Sequence, residues 1–138
     1  MGDVNPDTVA YAALTLWPTM ALWWEGEVER PLVVFVDVDD TLFRSFGGKR
    51  IPMTLMVERV RLLKEQGATL FLWSSGGAEY CRSTACELGL EDCFDGYLPK
   101  PHACIDDVRL EDWRELVELH PNEAQTADVA SILARLPW

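Results

Sequence analysis

The feature that most constrains this chain is a short apolar run that ends in acid: Val33-Val34-Phe35-Val36-Asp37-Val38-Asp39-Asp40-Thr41-Leu42. It is rich in β-branched residues, with Pro31 before it and polar residues after it. That pattern reads as a fully buried strand of the kind found in parallel sheets. Asp37 and Asp39 then stand at the C-terminal end of the strand, where open α/β sheets bind ligands. Two carboxylates this close repel each other unless a cation or a shared proton relieves them. A divalent cation that prefers oxygen ligands, such as Mg²⁺, is the economical solution.

Three later segments also run from apolar to polar. Thr69-Leu70-Phe71-Leu72-Trp73 leads into Ser74-Ser75-Gly76-Gly77. Tyr97-Leu98-Pro99-Lys100-Pro101 carries a lysine, a compact point charge suited to a place between anions. Ala103-Cys104-Ile105 leads into Asp106-Asp107. Taken singly, each has an ordinary explanation. Ser-Ser-Gly-Gly is a common strand-to-helix turn, a lysine is usually solvated, and paired acids often mark a charged loop.

The periodicity predicts the following layout. Residues 6–24 read as helical, interrupted by Pro18 and carrying Trp17, Trp23 and Trp24. A strand is expected over 32–37. A helix follows over 54–66, with Leu55, Val60, Leu62 and Leu63 on its apolar face and Gly67 at its end. A second strand covers 68–73, and a helix over 78–88 is closed by Gly89. Short strands are expected at 94–98, 103–105 and 116–119, and a final helix at 127–136. Strands alternating with helices form right-handed βαβ units and predict a three-layer α/β/α domain with a mostly parallel sheet.

In sequence order, the four segments resemble the four motifs of the haloacid dehalogenase (HAD) superfamily. Asp37-Val38-Asp39-Asp40-Thr41-Leu42 is similar to its first motif, Asp-x-Asp-x-Thr-Leu, with Asp40 where a glycine is more common. Ser74, with Ser75 as the near alternative, looks like the hydroxyl of the second motif. Lys100 resembles the lysine of the third, and Asp106 and Asp107 the acids of the fourth. The resemblance covers about residues 32–107. Only five residues separate Lys100 from Asp106, whereas many members place a helix there.

The resemblance implies a Mg²⁺-dependent phosphatase with a Rossmann-like fold. Asp37 would attack phosphorus and form an aspartyl-phosphate. Asp39 would act as general acid and then as general base. Ser74 and Lys100 would stabilise the phosphoryl oxygens, with Thr41 and Ser75 as further substrate contacts. Asp37, Asp39, Asp106 and Asp107 would supply the metal site. Asp39 favours phosphatase chemistry, because dehalogenases of this kind lack that acid and the transport ATPases have threonine there. The interval from Asp37 to Ser74 holds only one helix and a loop, and that from Ser74 to Lys100 only one helix and one strand. No cap domain fits. The loop after the first motif, with Phe46-Gly47-Gly48, Arg44, Lys49 and Arg50, occupies the position of a small mobile flap. Its cations are candidates to attract the phosphate ester.

Composition narrows the remaining choices. A chain of 138 residues that is 49% hydrophobic is the usual size for one domain and has ample material for a core. Residues 1–30 are expected to be an extension that packs on the sheet, or else a lid or a dimer face. A net charge of −11 disfavours long nucleic acid and anionic membrane surfaces. The chain opens on Met1-Gly2-Asp3 without a basic signal region. Cys81, Cys86, Cys93 and Cys104 make no Cys-x-x-Cys pair and suit a reduced, cytoplasmic setting. His102 and His120 are too far apart to suggest zinc, and a structural role is expected for both. The expected partner is a phosphorylated substrate, with a homo-oligomer as one way to close an open site. The alternative is a non-catalytic HAD-fold module that binds Mg²⁺ or phosphate. An EF-hand is excluded because Leu42 and Gly48 stand where its glycine and glutamate belong. Terpene cyclases are excluded because the chain is too short.

Overall fold

Alternation along the first strand decides how the rest of the chain is laid down. The structure, a computed structural model, describes residues 31–137. The helix expected over 6–24, and its packing on the sheet or over the site, lie outside the described residues. In chain order the elements are β1 (Val33–Asp37), β2 (Phe43–Phe46), β3 (Lys49–Pro52), α1 (Thr54–Glu65), β4 (Thr69–Ser74), α2 (Ala78–Leu88), β5 (Gly96–Pro99), α3 (Pro121–Ala124) and α4 (Val129–Leu133). Single 3₁₀ turns lie at Glu91–Cys93 and Leu110–Asp112.

β1, β4 and β5 form a three-stranded sheet in that order, both pairs parallel. Val34 stands beside Leu70 and Val36 beside Leu72, so these side chains share one face. α1 lays Met56, Val60 and Leu63 on the core, α2 adds Cys81 and Ala85, and α4 adds Ile132. Leu70, Leu72, Val60 and Ala85 have no exposure at all. Removing one such leucine side chain costs about 2–5 kcal/mol. The opposite face carries Phe35, Phe71 and Trp73, with Phe35 edge-on to Trp73 at 4.9 Å and tilted against Phe71 at 5.3 Å. Among the described residues this face is partly open: Val33 is 51% and Phe35 43% exposed. The fold is therefore mixed α/β, built on a parallel three-stranded sheet with helices.

After β1 the chain turns on a single carbonyl. The oxygen of Val38 accepts the amides of Thr41, Leu42 and Phe43 at 3.2, 2.8 and 3.2 Å. Val38 and Leu42 are both fully buried and anchor the turn. Asp40 lies between them in the left-handed region, at φ 61°, which explains why a glycine suits this place. Its amide donates back to the Phe43 carbonyl at 2.6 Å.

The expected loop with Gly47 and Gly48 is a β-hairpin. β2 and β3 pair antiparallel from Phe43 opposite Pro52 to Phe46 opposite Lys49. Gly47 and Gly48, at φ 59° and 76°, supply the two positive φ values that a tight two-residue hairpin turn requires.

Three expectations are corrected. No strand forms at 103–105 or at 116–119. Residues 101–110 are all exposed, Ile105 fully so, and three apolar residues without a partner strand bury too little to hold a ladder. The last helix spans Val129–Leu133 rather than 127–136. Asp128 caps its start by accepting the Ser131 amide at 2.8 Å, and past its cap at Ala134 the chain tightens into three-residue turns, the Arg135 and Leu136 amides donating to the Ile132 and Leu133 carbonyls at 3.0 and 3.1 Å. The apolar stripe of α1 runs through Met56 rather than Leu55, which is 58% exposed. No helix among the described residues is long and apolar enough to cross a membrane.

The turn yields a stability prediction. Asp40→Val puts a β-branched residue in the left-handed region and is expected to cost about 1–3 kcal/mol. Asp40→Gly should shift stability by no more than about 0.5 kcal/mol. Urea unfolding of the two variants reads the difference directly, and coincident midpoints would contradict the turn.

Candidate active site

The ends of β1 and β4 and the start of α2 bring most of the expected polar groups to one end of the sheet. Asp37 is the last residue of β1 and is paired in register with Trp73. Lys100 follows β5, and its amide donates to the Ser74 carbonyl at 2.9 Å. This fixes the lysine backbone beside the end of β4. Its ammonium then lies 3.1 Å from Asp37 Oδ1 and 5.9 Å from the centre of the Trp73 ring. Thr41 donates a long hydrogen bond of 3.4 Å to Asp37 Oδ2. Asp37 thus has a cation on one oxygen and a hydroxyl on the other.

Asp39 is exposed and belongs to a second set of contacts. Tyr80, in the first turn of α2, donates its hydroxyl to Asp39 Oδ1 at 2.7 Å. That bond is the main reason the Tyr80 phenol holds its proton above the usual range; burial adds to the effect and the nearby Arg50 opposes it. Arg50, on β3, reaches Glu87 at 2.7 Å, Tyr80 Oη at 3.2 Å and Thr84 Oγ1 at 3.3 Å. Its guanidinium also lies 3.9 Å over the Phe43 ring.

The remaining expected residues are placed as follows. Ser74 is buried, and its hydroxyl oxygen accepts the Gly76 amide at 3.0 Å. Ser75 is exposed. Arg44 and Lys49 are exposed on the hairpin, with no carboxylate partner among the described residues. Asp106 and Asp107 lie on the exposed segment after β5, where Asp106 Oδ1 accepts the Val108 amide at 2.9 Å. The structure does not gather them with Asp37 and Asp39. Among the described residues no three His, Cys, Asp or Glu side chains converge in a way that could hold a metal. His102 is exposed, and His120 takes the structural role expected of it: its Nδ1 caps α3 by accepting the Asn122 amide at 3.1 Å. Cys81 is buried nearby; burial is the main cause that pushes its thiol up, and the charge of Asp37 adds to it. A protonated, buried thiol is no nucleophile.

Tyr80 is the site residue that sequence reasoning missed. The available signal was its position in the first turn of the helix after a ligand-side strand end. Comparison with protein-family models finds no match, and the same holds for curated proteins and for solved structures. The functional reading therefore stands on the chain's own residues.

The ion pair of Lys100 and Asp37 is partly open to water, with side-chain exposures of 40% and 31%. Pairs of this kind contribute about 0–1 kcal/mol. Lys100→Met is expected to change the unfolding free energy by less than about 1 kcal/mol, measured in urea. A loss of several kcal/mol would instead make the lysine a structural element.

Proposed function

We propose that this chain is a HAD-type phosphatase, a phosphoric monoester hydrolase that works through an aspartyl-phosphate at Asp37. The observation that carries the reading is the Asp37 carboxylate at a strand end with the Lys100 ammonium 3.1 Å away. A capless three-layer α/β/α architecture, a cytoplasmic setting, a phosphorylated substrate and a homo-oligomer as lid belong to the same proposal.

The steps follow from the groups present. An ammonium has three donors, so Lys100 can keep one hydrogen bond to Asp37 while the others meet phosphoryl oxygens. That draws the nucleophile and the electrophile together and offsets the repulsion between two anions. An oxygen of Asp37 attacks phosphorus as the bond to the leaving oxygen breaks. The carboxyl of Asp39 gives its proton to that oxygen. Water then attacks phosphorus in the acyl phosphate, Asp39 takes a proton from it, and Asp37 is regenerated as inorganic phosphate departs.

Mg²⁺ is proposed as the cofactor on the resemblance of the sequence. When bound it would neutralise charge on the phosphoryl oxygens. The donors of Asp37 and Asp39 are of the right oxygen type, but Asp106 and Asp107 are not gathered with them. The donor set in the described arrangement is incomplete, and no step here passes through the metal. That same observation favours the second reading, a non-catalytic module of this fold that binds phosphate or Mg²⁺.

Hydrolysis of para-nitrophenyl phosphate, with and without Mg²⁺, separates the two. The wild type is expected to turn over in Mg²⁺, and Asp37→Asn to lose activity to the detection limit with its circular dichroism spectrum unchanged. Full activity in Asp37→Asn would remove the nucleophile from the proposal. An inert wild type across a panel of phosphate esters would leave the binding module.

A further inference from the structure

We propose that Tyr80 is a positioning residue for Asp39, held in place by Arg50, and that Arg50 serves this chain of contacts rather than the phosphate. The inference rests on the phosphatase reading. A guanidinium can only donate hydrogen bonds. Arg50 therefore spends donors on Glu87, Tyr80 and Thr84. Because the Tyr80 oxygen accepts from Arg50, its own hydrogen is free to be directed at Asp39 Oδ1, 2.7 Å away. The order Glu87, Arg50, Tyr80, Asp39 thus has a defined donor direction at every link.

The place of the Tyr80 ring is built rather than incidental. A Cβ added at Gly76 would lie 2.8 Å from Tyr80 Cδ2 and 3.2 Å from Cγ. Only a glycine at 76 lets the ring occupy this position. The other end of the chain is equally fixed, since Arg50 is stacked on Phe43 and paired with Glu87. Three separate elements meet here: the turn after β1, the hairpin strand β3 and the helix α2, from Tyr80 in its first turn to Glu87 in its last.

The chemical consequence concerns which oxygen of Asp39 does the work. With Oδ1 engaged by the phenol, the other oxygen carries the proton exchanged with the leaving group, and the carboxyl plane is held against rotation. Loss of the phenol hydroxyl leaves the acid in place but frees its orientation. Proton transfer from a misdirected acid is the step that suffers. A nitrophenolate leaves without needing that proton, whereas an alkoxide does not.

The test compares kcat/KM for para-nitrophenyl phosphate and for glycerol phosphate in the wild type, Tyr80→Phe, Arg50→Ala and the double variant. Tyr80→Phe is expected to lose about tenfold more on the alkyl ester than on the aryl ester. Arg50→Ala should show the same bias to a smaller degree. The double variant should be no worse than Tyr80→Phe alone, because the two residues act through one another. Gly76→Ala keeps the hydroxyl but displaces the ring, and should reproduce the bias independently. Equal losses on both esters in Tyr80→Phe would overturn the positioning role while leaving the phosphatase reading intact. A rise in KM for both esters in Arg50→Ala, with no ester bias, would return that arginine to the phosphate. A wild type inert on both esters and across the wider panel of phosphate esters would remove the reaction and this role together.

Discussion

One backbone oxygen, that of Val38, organises the site. It collects three successive amides between two side chains, Val38 and Leu42, that are wholly buried. A polar atom so close to the core must be satisfied, and here the satisfaction is entirely local. The turn it enforces puts Asp37 at the strand end and exposes Asp39, and it delivers Phe43 into the hairpin. The Met53 amide then bonds to the Leu42 carbonyl at 2.8 Å, so the hairpin also leaves from the same turn. Loosening this turn would displace both carboxylates and the arginine together.

Cations are scarce in a chain with 12 Lys and Arg against 23 Asp and Glu, and the site uses two of them in different ways. Lys100 meets Asp37 directly. Arg50 meets Asp39 only through the Tyr80 phenol. In the proposed chemistry this separation has a purpose. The first acid must stay a carboxylate and benefits from an adjacent charge. The second is proposed to exchange a proton, and the guanidinium reaches it only through the neutral phenol.

What could be read from the sequence depended on how local the cause was. β4 and α2 were legible because their apolar pattern and end signals lie within each segment; β1 was legible as a strand, but not as the fully buried one expected, since Val33 and Phe35 are 51% and 43% exposed. The hairpin was half legible: Gly47-Gly48 marked the turn, but the flanking Phe-Arg-Ser-Phe and Lys-Arg-Ile-Pro segments are too polar to announce strands. The run at 103–105 misled, since three apolar residues do not decide whether a neighbouring strand will accept them. On α1 the buried stripe Met56, Val60, Leu63 follows the helical spacing, and Leu55 was misplaced because i+4 from it is the polar Arg59. Asp37 and Lys100 were both named and are brought together. The position of Tyr80 at the start of α2 was the one signal available, but its contacts were not legible, because its partner Asp39 lies 41 residues away and Arg50 reaches Glu87 over 37. Contacts at that separation leave no period or spacing to find.

The hairpin is tied at its base through Met53 and at its side through Arg50. These contacts join the hairpin to the turn after β1 and to α2, in the place where a small flap was expected. If the proposed acyl phosphate forms at Asp37, the hairpin bears on its partition. A flap that shuts can hold the intermediate for one chosen acceptor. A flap that stays open leaves the choice to supply, and water, at its bulk concentration, outnumbers every alcohol in solution. In that proposal the fate of the phosphoryl group would depend on how one arginine ties the hairpin to α2, well before any acceptor is recognised.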